Sequence, residues 1–240
     1  MKIYRFLRGK MILIPLAAIF LFINACDTTT EPTNKSFSLS FKTGSSLQKV
    51  NDGIELTEVK ILLKDIKLET ESDSESVGDN GNNDGKCEEI RVGPFVVNLN
   101  LNGITTDFMV NDLPAGTYNE LEFEIHQLKA SETPPDSEFI GGDDCSQLYS
   151  VIVKGNYDTT QFVYKSTVSS RQELEFETPL VIEENTSTNL TITVDPYSWF
   201  YKEGVLMDPT DPANECYIDN NIKHSFKNVF EDNNYDGKND

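Results

Sequence analysis

The chain has 240 residues, of which 40 are acidic and 20 are basic, and its formal charge at neutral pH is −20. This balance excludes nucleic acid as a partner and argues against electrostatic docking to anionic lipid, because both need basic patches. Carboxylates are also the ligands that Ca²⁺ prefers, although most of those in an acidic chain form a solvated surface.

The first 25 residues follow the order of a secretory signal, with a basic start, an apolar stretch and small residues at the end. The apolar run 11–23 is shorter than the about 20 residues that a membrane-spanning helix needs. We therefore predict a signal peptide over residues 1–25. Its basic residues are Lys2, Arg5, Arg8 and Lys10, and it contains no acidic residue.

The apolar run ends in Ile23-Asn24-Ala25-Cys26, which resembles the lipobox of bacterial lipoproteins. In that family the signal is cut before the cysteine, whose thiol carries a diacylglycerol and whose new amino group can take a further chain. The resemblance implies lipidation of Cys26 and a place in the cell envelope, with the domain in the periplasm or at the cell surface. The outer membrane is favoured, but Asp27 resembles a retention signal for the inner membrane in some enteric bacteria. An ordinary cleaved signal and an uncleaved anchor are the alternatives.

Cleavage would take four of the 20 basic residues and none of the 40 acidic ones, so the formal charge would fall from −20 to −24. Residues 26–35 then form the lipidated start of the chain. They have no apolar periodicity, which is typical of a flexible tether that lifts a domain off the membrane.

Short alternating patterns recur from residue 36 to residue 200, and each is typical of a half-buried strand. One of them slips in phase between Leu63 and Ile66, which indicates a β-bulge. Many short strands without βαβ alternation predict a mainly β domain over 36–200, an antiparallel β-sandwich of the immunoglobulin or transthyretin-like kind. The alternating sets include Phe37, Leu39 and Phe41; Val59, Ile61 and Leu63; Leu121, Phe123 and Ile125; and Leu190, Ile192 and Val194.

Two long polar stretches, 71–86 and 130–144, interrupt the strands. Loops of this length are either functional or disordered, and we favour disorder or a variable rim. Cys87 and Cys145 each lie at the edge of one stretch, and an exported compartment permits disulfides, so we predict that they pair. Cys216 would be left over, and the sequence alone does not fix the connectivity.

Residues 201–231 are predicted to form a turn and a helix that packs on the sandwich. The turn is Asp208-Pro209-Thr210-Asp211-Pro212, and Asn214 is of a type that caps helices. Apolar residues at every fourth position then make an amphipathic stripe. The stripe consists of Ile218, Ile222, Phe226 and Phe230.

Three segments together resemble an uncharacterised family of bacterial exported β-sandwich lipoproteins, a domain of unknown function. They are 58–68, the stretch 97–125 around Leu113-Pro114-Ala115-Gly116-Thr117-Tyr118, and Trp199-Phe200 followed by 208–214. The turn of the second segment also recurs in transthyretin-like and fimbrillin-like sandwiches. The resemblance covers most of 36–232 and implies a fold and a location. No catalytic residues are assigned in such a family, so it implies no reaction.

The last residues, 232–240, match the start of an EF-hand-like calcium loop, with oxygen side chains at alternate positions and glycine at the sixth. The pattern stops before the twelfth position, where such loops carry a bidentate Glu. The predicted helix would enter the loop, and a frayed polar tail is the alternative. The predicted calcium ligands are the side chains of Asp232, Asn234, Asp236 and Asp240 and the carbonyl of Lys238. A weaker match to the same calcium-loop pattern occurs at 80–85, with Glu88 at the ninth position. It is explained more simply by chance in a loop rich in Asn, Asp and Gly.

The only tryptophan, Trp199, lies within Tyr197-Ser198-Trp199-Phe200-Tyr201. If Trp199 is exposed, it could bind a ligand by stacking on a sugar ring or a partner protein. If it is buried, it closes one end of the sandwich, which is the commoner role of such aromatics.

No nucleophile elbow, zinc-protease or phosphate-loop motif is present in the sequence, and His126 has no visible nucleophile partner. The first hypothesis is a non-enzymatic, lipid-anchored envelope protein that binds an unknown protein or glycan, or is structural, and is steadied by calcium. The second is a surface adhesin or pilus-type subunit, which requires an exposed edge strand or a donor segment. The third is a carboxylate-based hydrolase, which requires two acids about 5–10 Å apart.

Overall fold

The structure is a computed structural model of the chain. The predicted signal peptide, Cys26 and the tether lie outside the residues that it describes, as does the stretch 71–86. In the part that it does describe, no helix is long and apolar enough to cross a membrane. The described residues are 36–44, 53–70, 87–91, 93–103, 105–111, 113–142, 146–184, 186–226 and 228–240.

The described chain is mainly β, as predicted, with one short α-helix near its C-terminus. The helix is α1 (Glu215–Lys223). The strands are β1 (Ser36–Thr43), β2 (Ile54–Glu69), β3 (Cys87–Arg91), β4 (Phe95–Asn98), β5 (Thr106–Asn111), β6 (Gly116–Ile125), β7 (Ile140–Gly141), β8 (Gln147–Leu148), β9 (Val151–Tyr157), β10 (Thr160–Ser166), β11 (Ser170–Ile182), β12 (Ser187–Val194), β13 (Tyr201–Lys202), β14 (Val205–Leu206) and β15 (Asn228–Glu231).

The smaller of the two main sheets has the strand order β15-β12-β1-β5. β1 runs parallel to β12, with Leu39 opposite Leu190, whereas the other two pairings are antiparallel. The prediction of a purely antiparallel arrangement is therefore wrong for this pair. Side chains alternate with a period of two in both kinds of ladder, so the sequence pattern does not distinguish them.

The larger sheet has the order β10-β9-β2-β6-β11, and β3 and β4 also pair with β2. The register of β2 against β6 shifts between Lys64 and Lys67, and Asp65 within the shift has a positive φ of 51°. This irregularity confirms the predicted bulge. It allows both Leu63 and Ile66 to be fully buried.

Apolar side chains from both sheets belong to one hydrophobic core. Burial of each Leu, Ile or Phe stabilises the fold by about 1.5–3 kcal/mol relative to exposure. The alternating sets read from the sequence are confirmed as the interior faces of their strands. The core includes Phe37, Leu39, Phe41, Leu190, Ile192 and Val194 from the smaller sheet, and Val59, Ile61, Leu63, Leu121, Phe123, Ile125, Val151 and Val153 from the larger one.

The turn Leu113-Pro114-Ala115-Gly116 leads into β6 and is held by Tyr118. The side chain of Tyr118 is buried, and its hydroxyl donates to the carbonyl of Pro114 at 3.0 Å. A buried tyrosine hydroxyl bonded to the backbone a few residues upstream is the arrangement of the tyrosine corner in β-sandwiches. The hydrogen bond therefore fixes the entry of the chain into the larger sheet.

Substitution Tyr118→Phe is expected to lower the free energy of unfolding by about 1 kcal/mol, because the Pro114 carbonyl loses its donor. Urea denaturation followed by circular dichroism measures the difference. Tyr149→Phe is the matched control, since that hydroxyl bonds only the exposed side chain of Gln147 in the contacts described. A Tyr118→Phe variant as stable as wild type would contradict the role of this hydroxyl.

The helix α1 is shorter than the predicted one. Ile218 and Ile222 are fully buried, as the amphipathic stripe requires, but the helix ends at Lys223. The side chain of Asn221 donates to the carbonyls of Trp199 and Tyr201 instead of facing solvent. These two hydrogen bonds therefore hold α1 against residues 199–201.

The rest of the predicted stripe belongs to other structure, so the prediction of a helix up to residue 231 is wrong. Phe226 lies beyond the helix and packs edge-on against Phe123, with ring centroids 5.2 Å apart. Phe230 lies in β15, opposite Thr191 of β12. The spacing of four residues agrees with a helix only by coincidence, because two different contacts place these side chains.

Residues 130–142 adopt a defined conformation on the larger sheet, so the prediction of disorder is wrong for them, and residues 143–144 lie outside the described ranges. Phe139 is fully buried in a second, small core with Leu62, Leu128 and Ile152. Outside this core, Lys60 Nζ lies 2.7 Å from Asp136 and 2.8 Å from Glu138. These two carboxylates hold the pKa of Lys60 well above its ordinary value. One buried aromatic residue, Phe139, and the ion pairs of Lys60 thus order this stretch despite its polar composition.

Candidate metal centre

The segment 232–240, here called the terminal loop, follows β15 and lies against the outer face of the β1–β12 pair. The hydroxyl of Tyr235 is 3.0 Å from Ser38 Oγ. Lys42 Nζ donates to the carbonyl of Gly237 at 2.8 Å. Because these β1 side chains alternate with core residues, they point away from the interior. The terminal loop thus has long-range contacts that a frayed tail would lack.

Asp232, the first predicted ligand, is fully buried where β15 ends. Its Oδ2 accepts hydrogen bonds from Thr191 Oγ1 and from the backbone N–H of Gly237, each at 2.9 Å. Its carbonyl accepts from Asn189 Nδ2 at 2.8 Å. Asp232 therefore joins β12 to the interior of the terminal loop.

The other carboxylate oxygen of Asp232, Oδ1, is buried and has no hydrogen-bond partner among the residues that the structure describes. A buried polar atom without a partner costs about 1–3 kcal/mol, and more when it is charged. The carboxylate faces into the terminal loop, since its second oxygen binds the loop N–H of Gly237. The carboxylate of Asp232 is thus fixed at the terminal loop through Oδ2, while Oδ1 has no hydrogen-bond partner among the described residues.

Two tight turns bring the alternate residues of the terminal loop together. Asn234 Oδ1 accepts from the N–H of Asp236 at 2.8 Å, and Asp236 Oδ1 accepts from the N–H of Lys238 at 2.9 Å. Gly237 has a φ of +74°, and a Cβ at this position would collide with Lys42. Glycine at the sixth position therefore provides the sharp bend that such a calcium loop needs.

Asp240, at the ninth position, closes the terminal loop through hydrogen bonds. Its Oδ2 accepts from the N–H of Asn233 at 2.6 Å, and its Oδ1 accepts from Asn234 Nδ2 at 2.9 Å. The carboxylates of Asp232, Asp236 and Asp240 are not gathered within 4.8 Å of one another. In EF-hand loops the ninth position often acts through a water molecule, so this position need not touch the ion.

A strand, not a helix, leads into the terminal loop, because β15 ends at Glu231. The predicted helical entry is therefore wrong, and only the loop itself corresponds to the EF-hand pattern. β15 is paired with β12, whose Thr191 also binds Asp232. The entry strand thus aligns the loop with the side chains that bury its first ligand.

A second group of acids has a closer spacing, and the sequence analysis missed it. Oxygens of Glu120, Glu122 and Glu173 lie within 4.8 Å of one another, the only such group of three in the described ranges. Cross-strand register accounts for it, since Glu122 of β6 lies opposite Glu173 of β11. The run of outward glutamates at every second position of β6 was the available signal.

A side-chain cation already forms ion pairs with this second group. Arg171 pairs with Glu122, and its Nε lies 3.2 Å from Glu173. Burial and then the neighbouring carboxylates, Glu69 first among them, raise the pKa of Glu120. Pairing with Arg171 and the raised pKa of Glu120 thus reduce the repulsion among the three carboxylates. We therefore assign no metal to these residues.

Trp199 is fully buried within the core. A buried ring has no face free to stack on a sugar or a partner, so the expectation of ligand binding through Trp199 is corrected. The segment Pro196–Phe200 forms a 3₁₀ helix that turns four of its five side chains inward. Phe200 is the centre of a small aromatic group, with ring centroids 5.7 Å from Phe162 and 6.0 Å from Tyr164.

His126 is buried between two carboxylates just after β6. Its Nε2 lies 2.6 Å from Glu132 and its Nδ1 lies 3.2 Å from Glu124. Glu132 also accepts from Lys64 Nζ at 3.1 Å. Both ring nitrogens are engaged, so this group holds the turn at residues 129–132 and leaves no nitrogen for a nucleophile.

The remaining predicted positions stay predictions. Cys145 lies outside the described residues and nothing is described of the Cys87 side chain, so their pairing is untested. Cys216 is an exposed free thiol on α1. The weaker match to the calcium-loop pattern at 80–85 also lies outside the described ranges.

No protein-family model, curated protein or solved structure matches the chain. The resemblance to a family of exported β-sandwich lipoproteins accordingly stays a prediction that depends on the segments quoted above.

Proposed function

We propose that the protein is a lipid-anchored, non-catalytic β-sandwich of the bacterial cell envelope whose terminal loop binds calcium. The buried Asp232 carboxylate carries this proposal, because one of its oxygens is held inside the loop without a partner in the described chain. The sandwich is supported by two sheets that share one core. Anchorage at Cys26 is supported by the sequence alone.

In this proposal the ion links the terminal loop to the smaller sheet. Asp232 Oδ1, the side chains of Asn234 and Asp236 and the carbonyl of Lys238 would supply oxygens, with Asp240 acting through water. Asp232 is also bonded to Thr191 of β12. An ion held by Asp232 would therefore stabilise β15 against β12. Calcium is abundant outside cells, so the module would be most stable where an exported protein works.

Calcium is expected to raise the melting temperature of the protein, because a ligand that binds only the folded state stabilises it. At a concentration about 100 times the dissociation constant, the gain is about 2.7 kcal/mol, or about 5–10 °C for a domain of this size. Thermal unfolding in calcium and in EDTA measures the shift.

Asp236→Asn is the sharpest variant, since asparagine can keep the turn to Lys238 N–H while losing the charge that binds calcium. It is expected to melt like wild type in EDTA and to lose most of the calcium shift. Asp211→Asn is the matched control, because Asp211 accepts from Ala213 N–H in the same kind of turn outside the loop. Superimposable curves in calcium and EDTA for wild type would overturn the proposal.

Substitution Cys26→Ser is expected to move the protein from the membrane fraction to the soluble fraction of bacterial cells, since no thiol remains for the lipid. Fractionation and partition into detergent measure the change. Cys216→Ser, at the exposed free thiol, is the control and should stay with the membrane. Membrane association of Cys26→Ser equal to that of wild type would contradict the lipid anchor.

A further inference from the structure

A groove of about 530 Å³ lies between β11 and β15, which are edge strands of the two main sheets. This volume is within the range of about 300–1,000 Å³ that is typical of ligand pockets. Apolar residues and carboxylates share its lining, and no residue in this lining is basic. The apolar residues include Phe176 and Val229, and the acidic ones are Glu175, Glu177, Glu231 and Asp240.

The groove arises from an interruption in β11. Its register against β6 shifts between Glu175 and Leu180, so the intervening residues leave the ladder. Pro179 lies within this interruption and has no N–H to donate. On the opposite side, β15 has only four residues and pairs with β12 alone among the described strands, and its Glu231 carbonyl accepts from the N–H of Asp240 at 3.1 Å. The two edges therefore leave space between them.

We propose that this groove binds an extended, basic segment of another polypeptide, which lies beside the edge strand β15. An extended chain directs alternate side chains to opposite sides. Apolar side chains of such a segment would meet Phe176 and Val229, which are partly buried against the main core, while lysine or arginine would meet Glu175 and Glu177. A sheet edge is a recurring place for a peptide strand to bind, and opposite charges give such a contact its specificity.

The charge of the groove selects this partner over the others. Nucleic acid would be repelled by the acidic lining, as would anionic lipid. A second copy of this chain carries the same net charge of −20 and the same acidic groove. A basic polypeptide is the macromolecule whose charge and extended backbone both fit the lining.

The inference does not rest on calcium binding, although Asp240 belongs to both sites. The test is therefore made in EDTA, on the full chain, by isothermal titration calorimetry. The probe is an acetylated and amidated peptide of alternating lysine and valine, and the matched probe has glutamate in place of lysine. The lysine peptide is expected to bind and the glutamate peptide is not.

Two double variants locate the binding. Glu175→Lys with Glu177→Lys reverses two exposed charges of the groove and is expected to weaken binding of the lysine peptide by about tenfold or more. Glu55→Lys with Glu203→Lys makes the same change in net charge at exposed positions outside the groove. This control is expected to keep the affinity within about twofold, since distant charges are screened by salt.

Several outcomes would overturn the inference. They are no binding of the lysine peptide, equal binding of the two peptides, or equal weakening by the two double variants. Spermine that binds as tightly as the lysine peptide would assign the groove to small cations and would also overturn it.

Discussion

Substitution Trp199→Ala is expected to lower the free energy of unfolding by about 3–5 kcal/mol, which is the usual cost of truncating a large aromatic in a core. The side chain of Trp199 is fully buried and belongs to the main hydrophobic core. Its removal loses apolar burial and leaves a cavity that the surrounding core cannot easily close, because protein interiors are close-packed. Urea denaturation followed by circular dichroism measures the loss.

The control for this substitution is Tyr217→Ala, because the Tyr217 side chain is 46% exposed. That variant is expected to change stability by less than about 1 kcal/mol. Iodide quenching adds an independent reading, since Trp199 is the only tryptophan and its fluorescence should resist a charged quencher. A Trp199→Ala variant with wild-type stability, or strong quenching in the folded protein, would mean that the ring is exposed.

Substitution Glu132→Gln is expected to cost about 2 kcal/mol at neutral pH and much less in acid. Burial alone would raise the pKa of Glu132, but hydrogen bonds from His126, from the N–H of Lys129 and from Lys64 outweigh it and lower the pKa to about 2. The folded-state pKa is thus below the value of about 4.3 for an unfolded chain. The carboxylate therefore stabilises the fold above pH about 4, and this contribution is lost as the pH falls towards 2.

The measurement for Glu132 is urea denaturation of both proteins at several pH values between neutral and strongly acidic. The gap between wild type and Glu132→Gln is expected to close as the pH falls. Glu183→Gln, at an exposed position after β11, should show no gap at any pH. A gap for Glu132→Gln that is the same at all pH values would contradict the ionic role of this carboxylate.

The sequence predicted most of the strands because alternation is a local property. The interior sets of β1, β2, β6 and β12 and the bulge near Asp65 all follow from residues close together in the chain. The parallel pairing of β1 with β12 does not, since it joins residues near 39 to residues near 190. The same reason explains the helix error, because long-range contacts bury Phe226 against Phe123 and pair Phe230 with Thr191 of β12.

In the candidate metal site, too, the local features were predictable from the sequence and the long-range contacts were not. The spacing of Asp232, Asn234 and Asp236 around Gly237 predicted the loop, and the turns within it are local. The burial of Asp232 was out of reach of sequence reasoning, because it depends on Asn189 and Thr191 of another strand. Asn189 binds the backbone carbonyl of Asp232 and Thr191 binds its carboxylate, so long-range contacts rather than the local spacing hold this residue in place.

Calcium binding to the terminal loop through Asp232 is the proposal on which the others depend most, and isothermal titration calorimetry of calcium into the protein tests it directly. A saturable site is expected in wild type, and its heat of binding should be lost in Asp232→Asn, which removes the charge of the buried carboxylate. Glu122→Gln should bind as wild type does, because Arg171 already pairs with that residue. Absence of binding in wild type, or binding that survives Asp232→Asn and disappears in Glu122→Gln, would mean that the terminal loop does not bind calcium through Asp232.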